Sequence, residues 1–322
     1  MRILKDSDYK LFEQIASLKQ TSLLKTMYSY LQRNYEDVIM TNDYVIAAGD
    51  IPIALVAHLD TVFPSPPTNI YYDTRKNVMW SPEGLGADDR AGVFAIIKII
   101  KAGYKPHIIF TTDEEKGALG AGELIKDWNE PFAEMKYIIQ LDRRGANDCV
   151  FYDCCNDKFV EYVESFGFVE AFGSFSDISE ICPSWGIAGV NLSVGYNNEH
   201  SVSETLHIGY LLSTIDKVIN MLKSADECEQ FNYIPSKFSW YEKYSKSWFS
   251  DEYINCSKCH MTFSEYELIP VKGRDGKTKF YCPDCVVGNV QWCLECGEAF
   301  EINPGSSALH CMDCGGAVKC KV

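Results

Sequence analysis

Four apolar runs, at residues 51–56, 107–110, 137–141 and 187–194, constrain this chain more than any other feature. Each is too short for a buried helix and lacks alternation, the pattern of a strand covered on both faces. Helical patterns lie between them, at residues 93–101, ended by Gly103, and through 121–128. Strand, helix and strand in turn predict an α/β fold: a mixed, mainly parallel sheet sandwiched by helices. Upstream, Leu11, Ile15 and Leu18, then Leu23, Leu24, Met27 and Leu31, recur at helical spacing and predict two helices within residues 7–40. Residues 44–48 are a further apolar run, joined to 51–56 by Gly49 and Asp50, which reads as a hairpin turn. Residues 159–166 and 208–222 add two more helices.

In such sheets functional groups gather at the carboxyl ends of the strands. Here those tips are rich in metal-ligand side chains: Ala57-His58-Leu59-Asp60-Thr61, Thr111-Thr112-Asp113-Glu114-Glu115-Lys116-Gly117, Asp142, and Asn198-Glu199-His200-Ser201. Ala87-Asp88-Asp89-Arg90-Ala91-Gly92 adds more acids at the start of a helix. A lone His-x-Asp is usually structural, and a Glu-Glu pair is usually a solvated loop. The candidates are His58, Asp88, Glu114, Glu115, Asp142 and His200, and two imidazoles with three of these carboxylates suit two divalent ions without any cysteine. Asp60, two residues beyond His58, is spaced to hold the imidazole in its metal-binding tautomer.

In order and local motif these segments resemble the co-catalytic zinc exopeptidase superfamily, which groups aminopeptidases, tripeptidases and carboxypeptidase-like amidohydrolases. Carried over by position, the resemblance implies that Asp88 bridges two zinc ions. His58 and Asp142 then complete one site, Glu115 and His200 the other. Asp60 is implied to orient His58 and Glu114 to act as general base. Larger members insert a lid or dimerisation domain, but the intervals here, 30 residues from His58 to Asp88 and 58 from Asp142 to His200, leave no room for one. The expected activity is cleavage of an amide bond near a chain end, most simply by a peptidase. An amidohydrolase or deacylase of N-acyl small molecules is the enzymatic alternative, and an inactive zinc-binding interaction module the non-enzymatic one. Retention of Glu114 beside a full ligand set argues against the last. Arg143 and Arg144 follow a ligand and are candidates for a substrate carboxylate, although such arginines more often neutralise nearby acids. Ser176 and Asp177 sit where related aminopeptidases carry a Ser-Asp pair, but helix capping explains them as well.

Fourteen cysteines are distributed unevenly. Eight form Cys-x-x-Cys pairs: Cys256 with Cys259, Cys282 with Cys285, Cys293 with Cys296, and Cys311 with Cys314. Such knuckles predict two structural zinc ions, in consecutive ribbons or in a cross-braced arrangement. The expected organisation is a catalytic domain over 1–225, an aromatic-rich tether over 226–250 that packs on it, and a double zinc-ribbon module over 251–322. With a net charge of −15, and ten acids against seven bases in residues 251–322, nucleic acid is an unlikely partner. A protein partner suits the ribbons better. No run approaches a membrane span and no apolar leader follows Met1, so a cytoplasmic protein is expected.

Overall fold

A computed structural model describes residues 3–235, 253–264, 268–286, 289–293 and 299–303. Its contacts divide into two units, one of residues 1–171 with 176–235, the other of 172–175 with 236–322.

In the first unit the strands are β1 (Val38–Met40), β2 (Tyr44–Ala47), β3 (Ile51–His58), β4 (Tyr71–Asp73), β5 (Val78–Trp80), β6 (Pro106–Thr111), β7 (Tyr137–Arg143), β8 (Asp148–Val150), β9 (Val169–Glu170), β10 (Gly189–Ser193), β11 (Tyr196–Asn197) and β12 (Thr205–His207). The helices are α1 (Asp6–Ala16), α2 (Gln20–Leu31), α3 (Ala87–Lys101), α4 (Leu119–Asp127), α5 (Asp157–Glu164), α6 (Asp177–Trp185) and α7 (Ile208–Lys223). The main sheet runs β1-β2-β6-β3-β7-β10-β8-β9. Its centre, β6-β3-β7-β10, is parallel throughout, while β2 and β8 join antiparallel. This is the expected α/β sandwich.

Both faces of the central strands are dry. Ile53, Leu55 and Ala57 of β3, with Ile139 and Leu141 of β7, join one core cluster with Val93, Phe94 and Ile97 of α3. The alternate residues Ala54, Val56 and Ile138 are equally buried on the opposite face, where α4 and α6 pack. α3 is buried along nearly its whole length, which explains why its sequence has no polar stripe. Gly92 permits its close approach to β7: a Cβ there would lie 2.2 Å from Leu141 O.

The expected hairpin at Gly49 is not formed, because β6 lies between β2 and β3 and pairs with both. The chain passes over the start of β6 at Gly49, where a Cβ would meet Lys105 O at 2.2 Å and Pro106 O at 2.3 Å. Backbone N–H groups of Asp50 and Ile51 both donate to Lys105 O, and Gly49 N–H donates to His107 Nδ1. Gly49 therefore answers a crossing rather than a two-residue turn.

The interval between His58 and Asp88 supplies β4 and β5, which form a small second sheet with β11 and β12 around the His200 segment. The first unit also runs ten residues past the expected limit of 225. Phe231 is in its core, and Asn232 and Pro235 bridge to Ile187 and Cys154. The remainder of the tether, 236–250, lies outside the described residues.

In the second unit β13 (Tyr253–Asn255) and β14 (Thr262–Ser264) flank the first cysteine knuckle. β15 (Ile269–Lys272) and β16 (Thr278–Tyr281) form a hairpin leading into the second, and β17 (Val290–Trp292) and β18 (Ala299–Glu301) extend the same sheet. No helix among the described residues is long and apolar enough to cross a membrane.

Candidate metal centre

Parallel pairing of β6, β3 and β7 brings their carboxyl ends to one edge, and the site is built there. His58 is the last residue of β3, Asp142 lies near the end of β7, and Glu114 and Glu115 occupy a single 3-10 turn after β6. Asp88 sits at the N-terminus of α3, bonded to Asp89 by a cis peptide. His200 lies in the turn between β11 and β12 at a φ of 60°.

These side chains converge as two groups that share Asp88. His58 Nε2 lies 3.0 Å from Asp88 Oδ1 and 3.6 Å from Asp142 Oδ1. His200 Nε2 lies 3.3 Å from Asp88 Oδ2 and 3.1 Å from Glu115 Oε2. Each oxygen of one carboxylate thus faces a different histidine–acid pair, and Glu114 lies within ligand reach of His58 and Glu115.

Asp60 binds this arrangement together. Its Oδ1 is 3.2 Å from His58 Nδ1 and accepts Glu114 N–H at 3.0 Å, and its Oδ2 accepts Glu115 N–H at 3.1 Å. Burial pushes the Asp60 carboxyl up, but His58 and the two amide donors outweigh it, leaving it ionised below its ordinary value. An ionised Asp60 only accepts, so Nδ1 carries the proton and Nε2 turns a lone pair toward two carboxylate oxygens. That contact is repulsive unless a cation or a second proton lies between them.

The surrounding electrostatics show the same shortage of positive charge. Burial and the Asp88 charge raise Asp142 to about 6, despite opposing help from His58. Asp177, fully buried, rises to about 7, chiefly through burial, and burial carries Glu114 well above the usual carboxylate range. Glu115 Oε1 and Asp177 Oδ1 are buried with no hydrogen-bond partner among the described residues. Imidazole and carboxylate donors in this number fit a pair of borderline or hard divalent ions.

Several supports escaped the sequence reading. Asp142 Oδ1 accepts from Tyr196 OH at 3.0 Å, while Oδ2 accepts from Ser176 Oγ at 2.9 Å and Gln140 Nε2 at 3.1 Å. Asn191 clamps the Asp142 backbone through both its N–H and its C=O. Glu204, fully buried, accepts from the backbone N–H groups of Ala87 and Asp88 at 3.0 and 3.1 Å, fixing the segment that presents Asp88. Ser176 does cap α6, with Ser179 completing a capping box, but its hydroxyl also reaches Asp142. The signal for these residues was their position one turn or one strand from a candidate ligand. Arg144 pairs with Glu199 at 2.9 Å and Arg143 faces Asp148 at 4.0 Å.

In the second unit Cys256, Cys259, Cys282 and Cys285 bring their sulfurs within 4.8 Å of one another. The first pair is thus grouped with the second. Cys293 is buried nearby in sequence, whereas Cys296, Cys311 and Cys314 lie outside the described residues.

Residues 42–159 match the model of peptidase family M28. In fold, the chain is similar to the aminopeptidase PepT from Bacillus cereus (15% identity, TM-score 0.54, covering 70% of this chain and 99% of that one). It is also similar to a tripeptidase from Staphylococcus aureus (14%, 0.55, 70% and 100%) and to a TET aminopeptidase from a marine-sediment Thaumarchaeota archaeon (13%, 0.52, 69% and 99%). No curated protein matches the chain in sequence. The M28 match over residues 42–159, carried on this sheet with this histidine and carboxylate edge, supports a metallopeptidase of the co-catalytic zinc exopeptidase kind.

Proposed function

We propose that the first unit is an exopeptidase that hydrolyses the amide bond next to a peptide terminus with two zinc ions and Glu114 as general base. The observation that carries this reading is the division of Asp88 between the His58–Asp142 and His200–Glu115 pairs. His58, Asp88 and Asp142 would hold one ion, and Asp88, Glu115 and His200 the other. Two such ions lower the pKa of a water and polarise a carbonyl oxygen.

The chain's own groups supply the rest. Glu114 is not needed as a ligand in either set, yet Asp60 pins its backbone at the edge of the cluster. Its carboxylate takes the proton of the attacking water and hands it to the departing amine. Burial favours the protonated form, which assists the second transfer. Asp60 fixes His58 and the Glu114–Glu115 turn with one carboxylate, and Tyr196, Ser176 and Gln140 hold Asp142 against rotation.

The four converging thiols of the second unit would hold a structural zinc, with Cys293, Cys296, Cys311 and Cys314 supplying a second. Thiolate sites of this kind suit a reducing cytoplasm, and the acidic tail suits a protein partner rather than nucleic acid.

The test is incubation of the zinc-loaded protein with a pool of short peptides and N-acyl amino acids, read by mass spectrometry, beside Glu114→Gln. Stepwise loss of terminal residues by the wild type alone supports the reading and reveals the end preference. Consumption of acyl compounds alone would replace it with an amidohydrolase. Failure of either protein to turn over any compound, with about four zinc ions bound per chain, would make it an interaction protein.

A further inference from the structure

The turn that carries Glu114 and Glu115 is built from unusual backbone. Asp113 enters it at a φ of 53° and a ψ of 39°, and Gly117 and Ala118 leave it at φ values of 93° and 50°. A left-handed residue other than glycine is unfavourable on its own and persists where its surroundings dictate it. Up to Thr112 the chain is tied down, since the N–H and the hydroxyl of Thr112 both donate to Asp43 O at 2.9 Å. From there three consecutive backbone N–H groups go to side chains. Those of Glu114 and Glu115 go to Asp60, and that of Asp113 goes to Gln20 Oε1 at 3.2 Å.

Gln20 is the first residue of α2, 93 positions away in sequence. Its amide closes a ring on Asp113: Oε1 accepts the backbone N–H, while Nε2 donates to Oδ1 of the same residue at 3.1 Å. Asp113 Oδ1 also accepts from Lys116 Nζ at 2.9 Å, but that side chain is 68% exposed and belongs to the turn, so it anchors the turn to nothing else. Asp60 therefore grips the turn from the cluster side and Gln20 from the side of α2. A carboxamide suits the second grip because it offers an acceptor and a donor at once. Glutamate there would set a second carboxylate against Asp113, and methionine would offer neither partner.

We propose that Gln20 is a positioning residue for the metal site. By holding Asp113 left-handed it sets the direction in which Glu114 and Glu115 leave the backbone, and so aims the base and the ligand together. The proposal rests on the two-ion reading for what these two glutamates do, but not on which bond is cleaved. A displacement of about 1 Å can cost about 100-fold in rate, and groups that orient a ligand are worth about 10–100-fold in metal affinity or activity.

The experiment uses the full chain and exchanges polarity across the pair. Gln20→Met removes both hydrogen bonds at similar length, and Gln20→Glu opposes two carboxylates. Gln20→Glu combined with Asp113→Asn restores both bonds with the side-chain roles swapped. Zinc affinity is measured by competition with a chromophoric chelator, with Glu115→Gln marking the equivalent that depends on Glu115. Turnover is measured on a tripeptide that the wild type cleaves. Each single variant at Gln20 is expected to weaken that equivalent by about tenfold or more and to lower kcat by at least as much, with KM within about twofold. The double variant is expected to recover most of both losses. A merely structural contact would lower the melting temperature and leave that equivalent and kcat unmoved. Zinc affinity and kcat within about twofold of wild type in Gln20→Met overturn the proposal and leave the peptidase reading standing. A wild type that cleaves no peptide, with the equivalent still weakened by Gln20→Met and restored by the exchange, supports the proposal while removing the peptidase reading.

Discussion

Asp60→Asn is the most informative single change, because three donors depend on one carboxylate. The side chain keeps its size, so the loss is of charge and of accepting capacity. Oδ1 serves His58 Nδ1 and Glu114 N–H, so an asparagine will place its remaining oxygen there and turn its NH2 toward Glu115 N–H. Two donors then face each other where a 3.1 Å bond stood. Hydrogen bonds to a charged group are worth about 1.5–3 kcal/mol, and leaving a donor without an acceptor costs about as much. Weakening the hold on His58 as well should lower zinc affinity by about 10–100-fold, or about 1.4–2.7 kcal/mol. The assay is competition for zinc with a chromophoric chelator at neutral pH. Asp73→Asn, which alters a half-buried carboxylate at the end of β4 that accepts two turn N–H groups, serves as the control. Zinc affinity within twofold of wild type in Asp60→Asn would refute the claim that this carboxylate organises the site.

Three further outcomes follow from particular contacts. His107 is buried against Phe132 and accepts Gly49 N–H through Nδ1; burial lowers its pKa to about 4, so it folds neutral. Its folded value lies below the ordinary 6.5, so the stability tied to the neutral ring is complete above pH 6.5 and lost as pH falls toward 4. Between pH 7 and 4.5, urea unfolding should show the wild type losing about 2.5 kcal/mol more than His107→Gln. Gly49→Ala places a methyl against two backbone carbonyls that have no room to yield, and should cost about 2 kcal/mol or more, read as a fall of about 4–8 °C in Tm. Cys282→Ser should lower bound zinc by one equivalent per chain in elemental analysis, while treatment with a strong chelator abolishes hydrolysis and zinc restores it.

The sheet was legible because its central strands are buried on both faces, and a dry strand leaves an uninterrupted apolar run. Ligand candidates were legible because they fall at the ends of those runs. What the sequence hid has a physical reason in each case. The Gly49–Asp50 pair has the composition of a hairpin turn, but the strand that pairs with β2 is β6, sixty residues on, and no local pattern encodes that partner. Glu204 and Asn191 look like ordinary polar residues, since their value lies in backbone groups of Asp88 and Asp142 brought to them by the fold. Tyr196 falls in no apolar run and no motif, yet it is a hydrogen-bond donor to Asp142. Phe231 had an aromatic-rich context that announced packing, yet only the folded core shows that the domain extends to Pro235.

The two histidines of the cluster differ sharply in their access to water: the His58 side chain is 1% exposed and that of His200 is 43% exposed. An ion held by His58 and Asp142 would be shut in behind β3 and β7, while one held by His200 and Glu115 would sit at the mouth. The two positions should therefore trade ions with the medium at different speeds, the inner slowly and the outer quickly. A chain with this asymmetry can keep its inner ion through episodes of scarcity and regain full function as soon as the outer one is supplied. Metal availability would then act on it as a dimmer rather than as a switch between folded and unfolded protein.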